Sequence, residues 1–300
     1  SVMLSAAQAY LDVLQGRELV RLSQANEQTL AQEVAYRQEL YSRELGTLTE
    51  LAQARSRHAT ARAQLMRARN ELEVAEREFV RMTGVRPRDL SLPDALPPIG
   101  ADADALMRTA EDQAPAVLTA RHGLDAARFD TEAARGALLP SVNLEASYAR
   151  VNDPAPSYRN QQDAALQLTV SIPIYQGGGP SAAARASAQR AVQAQAQLDD
   201  ARELARQEAV RAWNALQSAR ADIAAYTEAV ANDKVAYQGM REQFALLGEF
   251  TLLDVLNMQQ QLFEAQVNLV RAQVQAVLSH LQILATQGRL TASQFDAGGA

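Results

Sequence analysis

Hydrophobic residues recur every seven positions near the start of the chain. Leu51, Leu65, Leu72 and Phe79 are spaced in sevens, and His58 takes the remaining position. A second row, three residues further on, is mostly alanine and ends at Met82. Large residues in one row facing small residues in the other are typical of helices that pack as a supercoiled pair. We therefore predict a helix to about Leu45 and a second, antiparallel helix over 48–82.

Two further heptad patterns in the C-terminal half predict a second pair of long helices. Leu253 belongs to the companion row of the last helix, while Asp233 and Gln260 are polar exceptions. These helices are predicted over 180–247 and from just after Gly248 to about 287. The main rows are Leu216, Ile223, Val230, Tyr237 and Phe244, then Leu256, Phe263, Val270, Val277 and Leu284.

The two helix pairs also correspond to each other in sequence. Val34-Ala35-Tyr36 recurs at 235–237, the turn Leu45-Gly46-Thr47 corresponds to 247–249, and Gly84 corresponds to Gly288. The offsets are 201, 202 and 204 residues, so the two copies drift by little over their length. A repeat of this size indicates a duplicated helical hairpin and pseudo-symmetric packing.

Between the two pairs the hydrophobic period changes from seven to two. Such alternation predicts a β-hairpin in which each strand has one apolar and one polar face, with a turn at 153–157. Strands of about ten residues are long enough to cross a bilayer when tilted. A hairpin packed on a helical body would show the same alternation, so both alternatives stay open at this point. The apolar positions are Val142, Leu144, Ala146 and Tyr148, then Leu166, Leu168, Val170, Ile172 and Ile174.

The patterns divide the chain into six segments. They are a first helical hairpin (1–85), a proline-rich linker with a short helix (86–114), an upper helix (115–139), a β-hairpin (140–176), a second long helix and hairpin (177–290), and a tail (291–300). We expect a mainly α fold of long antiparallel coiled-coil helices in two repeats, plus one β-hairpin.

Composition narrows the function. The net charge of −6 argues against a nucleic-acid partner, and the absence of cysteine excludes disulfides and thiolate metal sites. His58, His122 and His280 lack ligand spacing, so neither a metal nor a cofactor is expected. The triplet at 177–179 lacks the Gly-Lys-Ser/Thr ending of a phosphate loop, and no nucleophile stands beside a base. An enzyme is the least favoured interpretation.

Four motifs, in order, resemble those of the TolC family of outer-membrane factors. Leu138-Leu139-Pro140-Ser141-Val142 is similar to the family's entry from helix to strand, and Ser171-Ile172-Pro173-Ile174-Tyr175-Gln176-Gly177-Gly178 to its exit. The segments 46–55 and 248–256 resemble its two periplasmic turns. Together these motifs span nearly the whole chain.

The resemblance implies a trimeric outer-membrane channel with most of each chain in the periplasm. Three subunits would form one α-barrel of helical repeats and one transmembrane β-barrel of twelve strands. The implied partners are two further copies, a periplasmic adaptor (membrane fusion protein), an inner-membrane pump or ABC transporter, and outer-membrane lipid. The chain begins within a helix, so we expect a family segment, including the first strand pair, to precede it.

The resemblance also assigns roles to particular residues. Carboxylates near the second turn would ring a pore constriction, which implies Asp254. Glu50 occupies the comparable position at the first turn and would add charge. Asn257 and Phe250 stand where some members have an acidic and a basic residue. For Asp254 the alternative is a first-turn carboxylate that stabilises its helix dipole. The adaptor would dock at Gly46, Thr47, Gly248 and Glu249, residues that a plain helix–helix turn also explains. The lipid-facing residues would be Val142, Leu144, Tyr148, Leu166, Leu168, Val170 and Ile172.

The expected function is a passive duct in a tripartite export system, for efflux or type I protein secretion. A soluble coiled-coil scaffold would explain the heptads but not the alternating hairpin between the repeats. A periplasmic adaptor would also contain helical hairpins, but it should carry lipoyl-like and small β-barrel segments. The stretch 281–295 slightly favours members that serve protein secretion.

Overall fold

The structure, a computed structural model, describes residues 2–92, 96–100, 102–151, 161–247 and 250–291. The predicted hairpin turn at 153–157, Gly248, Glu249 and nearly all of the tail at 291–300 lie outside these residues. The elements are α1 (Val2–Ser42), α2 (Leu48–Thr83), α3 (Ala103–Gln113), α4 (Pro115–Gly136), β1 (Ser141–Val151), β2 (Gln161–Ser171), α5 (Gly179–Leu247) and α6 (Leu252–Thr286). The mainly α fold with one β-hairpin is confirmed.

The chain divides into two compact units. One contains residues 1–115 and 205–300, and the other contains residues 116–204. No helix among the described ranges is both long enough and apolar enough to cross a membrane.

In the first unit, α1 packs along both α2 and α6. The heptad rows of α2 face this interface, since Leu51, Ala54, Ala61, Leu65, Ala68 and Phe79 are all buried. Gly16 permits the close approach of α1 to α2, because an added Cβ would lie 3.1 Å from Leu72 Cδ1. The supercoiled packing predicted from large and small rows is therefore confirmed for this hairpin.

Separate apolar clusters pack the helices of the first unit together at different positions along their length. One contains Leu11, Val274, Leu281 and Leu284, where α1 meets α6. A second joins α3, α5 and α6 through Leu106, Ala212, Leu216 and Ile283, with Trp213 packed beside it. A third lies next to the turns and contains Leu30, Ala61, Leu252 and Leu256, with Phe244 against it. Several apolar clusters, rather than one continuous core, thus pack the two helical hairpins together.

Two details of the heptad prediction were wrong. Leu253 does not belong to the seam: its side chain is 42% exposed, and its neighbour Leu252 is buried at 2% exposure. Helix α1 ends at Ser42 rather than Leu45, because Glu44 adopts a left-handed conformation with φ 60°. The Leu45 N–H then donates to the Leu40 carbonyl at 2.9 Å and closes the helix.

The second unit contains the β-hairpin between helical segments. β1 and β2 pair antiparallel, with Ser141 opposite Ser171 and Val151 opposite Gln161. Both strands extend further toward the turn than their alternation predicted. At the other end β2 stops at Ser171, so Ile172 and Ile174, which we predicted within the strand, follow it. Pro173 accounts for the stop, because proline has no N–H to donate to a strand partner.

Candidate functional site

The β-hairpin has one continuous apolar face. The register pairs Val142 with Val170, Leu144 with Leu168, and Ala146 with Leu166. Residues directly opposite one another in an antiparallel pair lie on the same face, so these side chains form one surface. The other face carries Asn143 opposite Thr169 and Glu145 opposite Gln167.

Among the described residues, the large side chains on this apolar face are exposed. Their exposed fractions range from 55% for Val170 to 75% for Leu166, and Ile172 just beyond the strand is 63% exposed. An apolar strand surface this open is typical of a surface that contacts another apolar surface. The described helices of the hairpin's own unit do not cover this face, so packing of the hairpin on them is not supported. The predicted apolar-face residues Val142, Leu144, Tyr148, Leu166, Leu168, Val170 and Ile172 are all exposed.

The two helix–helix turns of the first unit share a capping arrangement. Thr47 caps α2, where its Oγ1 accepts from the Glu50 N–H, and the Glu50 carboxylate accepts from the Thr47 N–H. Thr251 and Asp254 do the same for α6. The sequence contains this signal as Thr-x-x-Glu and Thr-x-x-Asp, which the prediction from hydrophobic spacing did not include. The caps correspond at an offset of 204 residues, as do Gly84 and Gly288.

Asp254 is fully exposed at the start of α6. Its Oδ2 accepts from the Thr251 N–H at 2.9 Å and from the Thr251 Oγ1 at 2.7 Å. These bonds from the Thr251 side chain and backbone hold the pKa of the Asp254 carboxyl below its ordinary value of 3.8. The residue is therefore both a capping carboxylate and an ionised, accessible charge at neutral pH.

Asn257, one turn along from Asp254, is tied to the first hairpin. The Arg57 guanidinium donates to Asn257 Oδ1 at 2.5 Å, which joins α2 to α6. Phe250 lines two open clefts, one together with Asp254 and Asn257 and the other together with Glu50 and Thr251. The structure thus brings Glu50, Phe250, Asp254 and Asn257 to one end of the helical unit. Arg57 was not identified from the sequence, since a contact across 200 residues leaves no local signal.

The first turn exposes apolar side chains beside its glycine. Leu45 and Leu48 are 72% and 60% exposed, and they flank Gly46 and Thr47. A Cβ at Gly46 would lie 3.1 Å from Leu40 Cβ, so glycine gives the turn room that a larger residue would have to gain by a small shift. Gly248 and Glu249, the predicted counterparts at the second turn, lie outside the described residues.

The described residues contain no group of three or more His, Asp or Glu side chains placed to hold a metal ion. Of the three histidines, His58 contacts Glu27 Oε1 at 2.7 Å and His280 contacts the Pro97 carbonyl at 2.7 Å. Both contacts join separate segments of the helical unit, so these two side chains help to pack it.

The model of the outer membrane efflux protein family matches residues 106–289. The chain belongs to the outer membrane efflux protein family. This match includes the exposed β-hairpin and the whole second helical hairpin, and the family predicted from the sequence motifs is confirmed. Outer membrane efflux proteins are channel proteins of the outer membrane, so the scaffold and adaptor alternatives are not supported.

Curated relatives of this efflux protein family member cover nearly all of the chain. It is 32% identical to the outer membrane efflux protein BepC of Brucella suis, over 98% of this chain and 64% of BepC. It is 26% identical to the alkaline protease secretion protein AprF of Pseudomonas aeruginosa, over 90% of this chain and 58% of AprF. The chain therefore spans about three fifths of the length of these relatives.

Solved structures show the same fold at lower identity. A membrane protein from Pseudomonas aeruginosa superposes with a TM-score of 0.81 at 19% identity, covering 95% of this chain and 65% of that one. The CmeC outer membrane channel of Campylobacter jejuni gives 0.80 at 16% identity, covering 99% of this chain and 65% of CmeC. The α-barrel type of fold predicted from the resemblance is confirmed.

Proposed function

We propose that the protein is one subunit of a passive outer-membrane duct in a tripartite export system. Three copies enclose the path, a periplasmic adaptor bridges the gap below, and an inner-membrane pump or ABC transporter supplies the energy. The cargo is either a small molecule in efflux or a secreted protein, the two activities that the names of BepC and AprF state. No step of this function requires chemistry by the protein.

The observation that carries the proposal is the exposed apolar face of the hairpin. Its residues are more than half exposed, while the opposite face is polar. A strand pair with this pattern suits a barrel wall between lipid and a water-filled lumen. Two strands leave unpaired edges, and in a bilayer every backbone N–H and C=O needs a partner. A closed barrel built with neighbouring strands and copies supplies those partners.

The end of the helical unit that carries the caps is proposed as the pore constriction. One Asp254 per subunit would give a ring of three ionised carboxylates, with Glu50 adding charge nearby. Such a ring attracts cations and repels anions. Asn257 contributes no charge, and because Arg57 donates to its Oδ1, we propose that it holds α6 against α2 rather than lining the path.

The turn at Gly46 and Thr47 is proposed as an adaptor-docking tip, together with Gly248 and Glu249. The exposed Leu45 and Leu48 support this role, because a partner hairpin could cover them. The same two side chains would otherwise remain in water at the end of a long helical body.

An export assay tests the proposal. Cells that lack the gene are complemented with the full-length protein or with Leu168→Lys, which places a charge on the apolar face. Wild type is expected to restore export, and the variant is expected to fail while Thr169→Lys on the opposite face succeeds. Full export in cells that lack the protein altogether would refute the duct.

A further inference from the structure

Arg37 in α1 is a buried cation whose hydrogen-bonding capacity is mostly unused. The residue is 7% exposed, and its Nε donates to Glu33 Oε1 at 2.6 Å. Its guanidinium carbon lies 4.8 Å from the centre of the Phe244 ring and 5.1 Å from that of Tyr36. Within the described part of the chain, its two Nη atoms donate no hydrogen bond. Buried guanidinium donors without an acceptor are costly, so this arrangement calls for one.

Arg37 lines a cavity of about 470 Å³ between α1, α5 and α6. Tyr237, Phe244, Val255 and Leu256 provide aromatic and aliphatic walls, and Arg241 provides a second cation. Burial raises the pKa of the Tyr237 phenol, a shift that Arg241 partly offsets, so the phenol stays neutral and able to donate. The cavity therefore combines aromatic and aliphatic walls with polar side chains, among them Thr29, Gln32 and Gln259, and with the unused donors of Arg37.

The charges of the lining select the kind of acceptor. Arg37 and Arg241 carry two positive charges and Glu33 one negative charge, which leaves one positive charge to be balanced. A carboxylate fits this balance, because its two oxygens can accept in parallel from a guanidinium. A phosphate dianion would meet repulsion from Glu33, and the apolar walls would cover a hydrocarbon body.

We propose that this cavity binds a small organic carboxylate with an apolar body. The acid would contact α1 of the first hairpin together with α5 and α6 of the second, so it would hold the two hairpins together. Binding to this arrangement alone would stabilise it by mass action. The proposal is independent of the duct function, because it concerns only the packing of the helical unit.

Titration calorimetry on the full-length protein, with benzoate as the probe, tests this site. Benzamide is the uncharged isostere, and inorganic phosphate is the competing anion. We expect saturable benzoate binding about tenfold tighter than that of either control, the difference that charge-assisted hydrogen bonds produce. Failure of benzoate to saturate would mean that water alone fills the cavity, and equal binding of phosphate or benzamide would refute the carboxylate assignment.

Variants localise the effect. Arg37→Met is expected to abolish benzoate binding, and Arg241→Gln at the exposed rim is expected to weaken it several-fold without the risk of unfolding a buried site. Arg43→Gln is the control, because Arg43, the first residue after α1, is exposed and paired with Glu39 of that helix. Unchanged binding in Arg241→Gln, whatever the fate of Arg37→Met, would overturn the proposal.

Discussion

Single residues at the two turns combine a structural and an electrostatic role. Thr47 with Glu50 and Thr251 with Asp254 cap α2 and α6 through reciprocal hydrogen bonds. Such caps stabilise a helix start by about 1 kcal/mol. The carboxylates that cap the helices are the same ones that we propose for the constriction. A change in pore behaviour on replacing Asp254 therefore needs a control for the lost cap.

Asp254→Asn removes the charge, and Thr251→Ala removes the cap while keeping the charge. If the carboxylate ring attracts cations, Asp254→Asn weakens divalent-cation block of the channel or raises its conductance, as Asp254→Ala would. Thr251→Ala leaves the block at neutral pH in place. Block lost equally in both variants would indicate that the cap, not the charge, matters.

The pH dependence of that block follows from the lowered pKa of Asp254. The Asp254 carboxyl accepts these hydrogen bonds only in the folded protein, so folding favours its ionised form. The stability that the cap contributes is therefore present above pH 3.8, and it is lost as the pH falls through the lower pKa of the folded state. We expect Thr251→Ala to raise the pH at which block is half lost. The measurement is single-channel block by a divalent cation between pH 3 and 7. An unchanged midpoint would contradict the role given to these hydrogen bonds.

Two glycines that end helices provide a matched pair of substitutions. Gly84 and Gly288 have φ of 74° and 67°, and an added Cβ at Gly84 meets nothing within 4 Å. At Gly288 the Cβ would lie 2.9 Å from the Gln113 carbonyl oxygen. Gly84→Ala should cost about 1 kcal/mol of unfolding free energy from conformational strain alone. Gly288→Ala should lower the unfolding free energy clearly more than Gly84→Ala does. Equal losses in a denaturant titration would show that the backbone at the end of α6 shifts to accommodate the added Cβ.

At the scale of elements, the two helical hairpins are joined by a buried amide pair. Gln259 Nε2 in α6 donates to Asn26 Oδ1 in α1 at 2.9 Å, and both residues are less than 10% exposed. A polar pair inside an apolar seam favours one register over its neighbours, because a slip leaves both amides without partners.

Replacing one member of this pair should be costly. Asn26→Ala or Gln259→Ala leaves a buried amide unsatisfied, and each should lower the unfolding free energy by about 1–3 kcal/mol. The double variant should lose less than the sum of the two, with a coupling of about 1 kcal/mol in a double-mutant cycle. Strictly additive losses would mean that the two amides act independently.

The hairpin supplies a second prediction at this scale. Leu168→Lys puts a charge on the apolar face and should destabilise the membrane-inserted protein by about 2–4 kcal/mol. Thr169→Lys, on the adjacent residue but the polar face, should be nearly neutral. Folding into lipid vesicles measures both. Equal effects would show that the apolar face does not meet lipid.

Periodicity predicted most elements because their cause is local. The heptads of α2 and the alternation of β1 each reflect one buried or apolar face, and the structure places that face as expected. The sequence was less informative where two spacings compete, as at Leu252 and Leu253, since either residue continues a seam and only the position of Leu30 and Ala61 decides. Contacts such as Arg57 with Asn257, and Arg37 with Phe244, depend on how two distant segments meet. No pattern in one segment can predict them.

At the scale of the whole molecule, the proposed duct needs more strands than the described residues contain. Among those residues, the hairpin has two strands with unpaired outer edges and an exposed apolar face. Closure by neighbouring strands and further copies explains both features together. A passive duct also fits a family of channel proteins, to which the chain belongs.

The most direct test of the duct is the conductance of the full-length protein in planar lipid bilayers. We predict discrete, cation-selective openings from a stable trimer, with smaller cation selectivity in Asp254→Asn. A stable, membrane-inserted trimer that conducts no ions, whether or not the carboxylates near its turns are neutralised, would contradict the duct.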